Sequence, residues 1–206
     1  MKSLYLNKFK NYFLIITTLL CFSLSASSVL DVEKDDFFIG NENAPVTIIE
    51  YASLSCSHCA DFHINTLPTL IEEYVNSGKV KIVFRHFPFN YPALLGSMVL
   101  HCVPNDVRFD YTEALYFLQK KWVVKENKKT KQELFKIMQS GGMTKDKFDN
   151  CINNTEIENS IIQKLVAVQN EYEIKSTPSF LINGQLLEGN KPIDTFRKII
   201  ENELQK

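Results

Sequence analysis

"APVTIIEYASLSCSHCADF", residues 44–62, decides how this chain folds. Residues 44–52 are a short β-branched, apolar run bounded by turn chemistry, as expected of a buried strand. Cys56 and Cys59 follow, enclosing Ser57 and His58. Beyond them Ala60, Ile64, Leu67, Leu70, Ile71, Tyr74 and Val75 recur at helical spacing, and Gly78 stands where a helix C-cap belongs. Pro68 inside that pattern predicts a kink or a break. "KVKIVFRHF" (79–87) reads as a second strand. Strand, helix, strand is a βαβ unit with Cys56 at the strand-to-helix junction.

Further along, the pattern changes. From Ala93 to about Asn170 there is no strand signal but a series of helical stretches: "ALLGSMVLHCV", "YTEALYFLQKKW", "KQELFKIMQ", "KDKFDNCIN" and "ENSIIQKLVAVQNEY". Pro104, the lysine-rich "KENKKTK" and "SGGMT" separate them, the lysine run reading as a solvated loop. Strand character returns in "PSFLINGQLLEG", where two apolar runs flank Asn183-Gly184, a strong two-residue hairpin signal. The chain closes on an amphipathic helix with Pro192 near its start and Ile193, Phe196, Ile200 and Leu204 on one face. The fold class is therefore α/β, with βαβ and ββα halves over about 34–90 and 171–206 and a helical insertion over about 91–170.

With 206 residues, 45% hydrophobic and 12% aromatic, the chain has the material for a full core in one domain carrying an insertion. A formal charge of -1 and a pI near 6.4 argue against a general nucleic-acid binder. The opening "MKSLYLNKFKNYFLIITTLLCFSLSASS" sets Lys2, Lys8 and Lys10 before an apolar run from Tyr12 to Leu24 and then small residues, the order of a secretory signal peptide. That run is about 13 residues, short of the roughly 20 of a spanning helix. Residues 1–27 are thus expected to be a signal peptide, cleaved after Ser25 or Ser27, leaving 28–206 as an exported domain. A retained anchor is the competing reading.

Export leaves Cys56, Cys59, Cys102 and Cys151, an even number that suggests two disulfides in an oxidising compartment. Spacing favours Cys56 with Cys59 and Cys102 with Cys151, and the other two connectivities stay open. A bond between Cys102 and Cys151 would close about 50 residues and add roughly 4 kcal/mol in the chain-entropy model. The tight pair has rival readings. As a staple it crosslinks almost nothing. A zinc site lacks a second pair of ligands, and haem attachment needs a histidine where Ala60 stands. A redox pair fits best. At a helix start, unpaired N–H groups and the dipole favour a Cys56 thiolate, and His58 is placed to add a hydrogen bond or a charge. Cys59, one turn in, is expected to be more buried. No metal and no cofactor is called for, and His63, His86, His101 and Trp122 receive no role beyond packing.

These residues resemble the DsbA family of exported thioredoxin-fold disulfide oxidoreductases, and the resemblance covers essentially the whole mature chain. It implies a thioredoxin fold with an inserted helical domain. Cys56 then matches the nucleophilic cysteine, Cys59 the resolving one and His58 the histidine of the active-site dipeptide, while Ser57 replaces the usual proline. Glu50 matches the buried acid that assists proton transfer at Cys59. On an apolar strand a carboxylate is costly unless it works or is paired. Thr177-Pro178 matches the residue and cis-proline that face the pair and receive an extended client segment. The disulfide of Cys102 with Cys151 is similar to a second, structural one of alpha-proteobacterial members. The resemblance implies a periplasmic, monomeric oxidase of reduced exported proteins, reoxidised by a membrane DsbB-type partner. A disulfide isomerase or reductase, suggested by Thr177 where oxidases tend to have valine, and a thioredoxin-like client-binding module are the competing functions.

Overall fold

The computed structural model describes residues 30–33 and 36–206, so the expected signal peptide over 1–27 lies outside the described residues. Val46–Ala52 forms β2, the middle strand of a sheet with β1 (Phe37–Gly40), β3 (Val80–His86), β4 (Ser179–Ile182) and β5 (Gln185–Glu188). The order is β1-β3-β2-β4-β5, with β2 parallel to β3 and every other pairing antiparallel. Apart from Thr47 and Glu50, β2 is apolar because it is covered on both faces. Val46 and Ile48 join a core with Phe62, Leu70, Phe196 and Ile200, while Ile49 and Tyr51 meet Val168, Ile174 and Leu181 on the far side. β1 is absent from the sequence reading. Its four residues are too few to show a period, and they follow an acidic run.

A parallel pair needs a crossover. Here it is a helical rod made of α1 (Ser57–Asp61), a π-helical turn over Phe62–Thr66, α2 (Leu67–Leu70) and a second π-helical turn over Ile71–Val75. Pro68 lies in the first turn of α2 and has no N–H to continue a regular ladder, so the expected break falls beside it. The wider π turn also shifts the buried stripe. Phe62 and His63 are buried, whereas Ile64, expected on the buried face, is 47% exposed. Gly78, with φ of 75°, caps the rod: its N–H donates to Val75 O, and Lys79 N–H donates to Tyr74 O.

Between β3 and β4 stand α3 (Tyr91–His101), α4 (Asn105–Phe117), α5 (Gln119–Trp122), α6 (Asn127–Ser140), α7 (Lys145–Ile152) and α8 (Thr155–Tyr172). Most of the lysine run expected as a loop is the start of α6. Thr130, Leu134 and Met138 form the buried row of that helix and the lysines its wet side. Leu118 divides the single helix expected around it into α4 and α5. The helices bury Leu95, Val99, Trp122, Leu134 and Phe148 together with Cys59, each worth about 1.5–3 kcal/mol when a large apolar side chain leaves water. A disulfide joins Cys102, after α3, to Cys151 in α7 across 49 residues. Asn183 and Gly184, at φ 45° and 88°, supply the two left-handed residues that a tight β4–β5 hairpin requires. Closing the fold, α9 (Ile193–Leu204) buries Phe196 and Ile200.

On the far face Arg85 is buried against Asp36, with Nη2 donating to Oδ2 at 2.6 Å and Nη1 to Tyr51 Oη at 3.0 Å. Lys164 of α8 reaches Asp36 at 3.3 Å. The segment before β1 is thereby tied to the sheet and to the insertion. The whole is the α/β thioredoxin fold with an inserted helical domain that the resemblance implied.

Candidate active site

β2 ends at Ala52, and the turn that follows presents Cys56 in an extended conformation as the N-cap of α1. Cys56 N–H donates to Ser53 O at 3.0 Å, and Ala60 N–H to Cys56 O at 3.1 Å. Gln119 of α5 clamps the turn, its side-chain amide donating to Leu54 O at 3.0 Å and Cys56 O at 2.9 Å. Both thiols of the pair are free: Cys56 is partly buried and Cys59 fully so. Cys56 Sγ donates to Thr177 O at 3.3 Å, and the Thr177–Pro178 peptide bond is cis.

The two sulfurs have opposite acidities. The Cys59 thiol, the Thr177 hydroxyl and the backbone N–H groups of Cys59 and His58 favour a Cys56 thiolate and, against burial, bring its pKa down to about 5. Burial, together with the Cys56 sulfur and the charge of Glu50, pushes the Cys59 thiol far above the ordinary range. Near neutral pH the reduced pair is one thiolate beside one thiol. His58 acts on Cys56 through its backbone N–H, while its side chain is exposed.

Glu50 follows from strand geometry. Side chains alternate along β2, so Glu50 shares the face of Ile48 and Ala52, toward the rod. Its register neighbours there are Phe84 of β3 and Phe180 of β4, and it is 0% exposed. His63 on the rod, 1% exposed, sets Nε2 at 3.2 Å from Glu50 Oε2 as an ion pair. The alignment is not that of a hydrogen bond, and neither Glu50 oxygen has another partner among the described residues. On the other side of the ring, Nδ1 lies 2.5 Å from Glu113 Oε1 of α4, and Tyr116 stacks on the imidazole at 4.0 Å. Burial alone would lower the His63 pKa, but the charge of Glu50 and the bond to Glu113 raise it to about 9. A cavity of about 40 Å³, room enough for water, is lined by Glu50, His63 and Tyr116.

Cys56, Cys59, Thr177 and Pro178 therefore meet at one end of β2, with Glu50 behind them. The Cys102–Cys151 disulfide belongs to the helical layer. His63, Glu113 and Gln119 were not singled out by the sequence. His63 carried a faint signal, standing four residues after Cys59 on the same rod; Gln119 and Glu113 are distant in sequence and carried none. His86 and His101 face one another at 5.5 Å. Among the described residues no group of three or more His, Cys, Asp or Glu side chains is placed to hold a metal ion.

A family model described as Thioredoxin matches residues 32–202. A Rickettsia conorii protein, provisionally named a protein-disulfide oxidoreductase, is 28% identical over 176 residues, covering 85% of this chain and 62% of its own length. The chain thus spans under two thirds of that relative. The crystal structure of Wolbachia pipientis alpha-DsbA1 superposes with a TM-score of 0.79 at 30% identity, covering 84% of this chain and 93% of that one. BdbD from Bacillus subtilis, in its oxidised form, shares the fold at a TM-score of 0.73 and 21% identity, covering 84% and 95%. With the match running through nearly all of the described residues, the chain belongs to the thioredoxin family and, within it, to the DsbA-type proteins.

Proposed function

We propose that this chain is an exported thiol–disulfide oxidase that donates a Cys56–Cys59 disulfide to reduced proteins. The observation carrying this reading is the placement of the pair, with Cys56 at the N-cap of α1 and its Sγ on Thr177 O, and Cys59 buried behind it. A thiolate stabilised at Cys56 favours the reduced form, which makes the disulfide a strong oxidant. A client thiolate attacks Cys56 Sγ and the Cys56–Cys59 bond breaks. Cys59 leaves with the electron pair and takes up a proton, and a mixed disulfide remains at Cys56. A second client thiolate attacks the client sulfur and expels Cys56 as a thiolate. Two electrons have then passed from the client dithiol to the pair. An extended client segment lies against Thr177 and Pro178, read through its backbone. Glu50 serves as the proton partner of Cys59, and the Cys102–Cys151 bond is structural. The secretory pattern of residues 1–27 supports a periplasmic reaction. No helix among the described residues is long and apolar enough to cross a membrane. A membrane DsbB-type protein would restore the disulfide, and the chain would act as a monomer.

Thr177 favours a second reading, an isomerase or reductase using the same sulfurs. The redox equilibrium of the Cys56–Cys59 pair against glutathione separates the two, because thioredoxin and strongly oxidising proteins of this chemistry differ by roughly 150 mV. A potential at the oxidising end is expected, and one near that of thioredoxin would transfer the chain to the second reading. Cys56→Ala is expected to abolish oxidation of reduced client peptides, and a variant that still oxidised them would remove both.

A further inference from the structure

The turn that presents Cys56 is held from two directions. Within the turn, Cys56 N–H bonds back to Ser53 O, and Cys56 O accepts the first helical bond, from Ala60 N–H. From the insertion, Gln119 reaches Leu54 O at 3.0 Å and Cys56 O at 2.9 Å with a side chain that is only 8% exposed. Backbone carbonyls only accept, so the atom facing both is the amide nitrogen, which has one N–H for each.

The element that carries Gln119 is itself anchored. Leu118, at φ -94° and ψ 10°, ends α4 and turns the chain into α5. One turn beyond Gln119, Trp122 is 0% exposed, and its Nε1–H donates to Leu115 O at 2.9 Å, tying α5 back to α4. The Leu54 side chain and the Trp122 ring both close on Gly96 of α3, where a Cβ would stand 2.9 Å from Leu54 Cδ1 and 2.9 Å from Trp122 Cη2. Four residues of helix, fixed from α3 and α4, thus grip the catalytic turn by its backbone.

We propose that Gln119 is a positioning residue for disulfide exchange, whose clamp on the turn holds Cys56 in the reduced state and so sets how oxidising the Cys56–Cys59 pair is. The inference rests on the exchange reaction proposed above. Both thiols are free in this structure, so the clamp is made in the reduced form. When Cys56 and Cys59 are joined, the sulfur–sulfur bond closes the same stretch and restrains Cys56 with or without the amide. When they are apart, the backbone must keep Cys56 Sγ on Thr177 O and before the N–H groups of His58 and Cys59. The clamp therefore contributes more to the reduced protein than to the oxidised one, and its loss makes the disulfide a weaker oxidant. Gln119 carries no charge, and in the contacts described it acts through the backbone of Cys56 and not on a sulfur.

The test is the redox equilibrium with glutathione in the full-length protein. Two glutathione thiols give two electrons to the Cys56–Cys59 disulfide and join as glutathione disulfide. One of their protons ends on Cys59 and the other in water, leaving Cys56 a thiolate. Wild type is compared with Gln119→Met, which keeps the length and neutrality of the side chain and deletes both donors. The equilibrium is expected to shift about tenfold toward the protein disulfide, the worth of two ordinary hydrogen bonds. The Cys56 thiolate midpoint should rise from about 5 by about one pH unit, the same tenfold. In denaturant titration the reduced variant should lose correspondingly more stability than the oxidised one. Equal losses in the two forms, with the equilibrium and midpoint of wild type, would reduce Gln119 to packing and overturn the proposal. Gln119→Asn, still an amide but drawn back by one methylene, should move the same readouts in the same direction, and it keeps the test open should the methionine variant fail to fold. Wild type that exchanges nothing with glutathione would instead remove the exchange reaction, and the role of the clamp with it.

Discussion

Thr177 touches Cys56 twice, accepting from the thiol through its carbonyl and favouring the thiolate through its hydroxyl. Thr177→Val keeps the shape and deletes only the hydroxyl. The Cys56 midpoint, followed by thiolate absorbance near 240 nm, should then rise from about 5 by roughly one unit, the worth of one hydrogen bond to a charged group. An unmoved midpoint would assign the whole effect to Cys59 and the backbone N–H groups. The sign carries over to stability. A folded pKa below the unfolded one stabilises the reduced protein above the unfolded cysteine value, and the gain is lost as pH falls through about 5. At this scale the sequence is partly legible. The Cys-x-x-Cys spacing after an apolar strand names the reacting sulfurs, and an acid at position 50 inside that strand announces itself by its cost. Residues that reach the site from far along the chain, such as Gln119 and Glu113, leave no local trace. Thr177 and Pro178 were found only through the family resemblance.

Among the elements, the rod and the insertion show where periodicity misleads. An α-helical count over 60–75 puts Ile64 inside and gives His63 no work, because it has no provision for a turn wide enough to rotate the stripe. The lysine-rich run reads as a loop on composition, yet burial of Thr130, Leu134 and Met138 at four-residue steps suffices to hold it in α6. The hairpin and both flanking strands were legible, since Asn183-Gly184 has few backbone options. The disulfide between Cys102 and Cys151 ties α3 to α7 outside the reacting pair. Replacing both by alanine should lower unfolding stability by up to about 4 kcal/mol in denaturant titration. The Cys56 midpoint should not move. A shift in that midpoint would show that the bond also shapes the site.

For the molecule as a whole, the buried Asp36–Arg85 pair and the partly exposed Lys164 join three stretches widely separated in sequence. Burial alone would raise the Asp36 carboxyl, but the hydrogen bond from Arg85, the backbone of Glu33 and the charges of Arg85 and Lys164 hold it below its usual value. This contribution to stability is therefore present above the ordinary carboxylate range and lost as pH falls through the lowered value. Asp36→Asn leaves the Arg85 charge poorly matched and should cost about 3 kcal/mol at neutral pH. Acid unfolding curves should then show a smaller loss below pH 4 in the variant than in wild type. Equal acid limbs would exclude Asp36 as their source. No sequence pattern announces this cluster, because it depends on how the insertion is laid against the sheet.

Cys59 sits in the same core as Leu95, Trp122, Leu134 and Phe148, most of it contributed by the inserted helices, and no solvent reaches it. An alkylating reagent can modify that sulfur only during moments when the helical layer lifts from the sheet. In a protein with Cys56 replaced by serine, the labelling rate of Cys59 becomes a clock for that lifting, read without any attached dye. The resolving sulfur thus doubles as a native gauge of how often the two layers part.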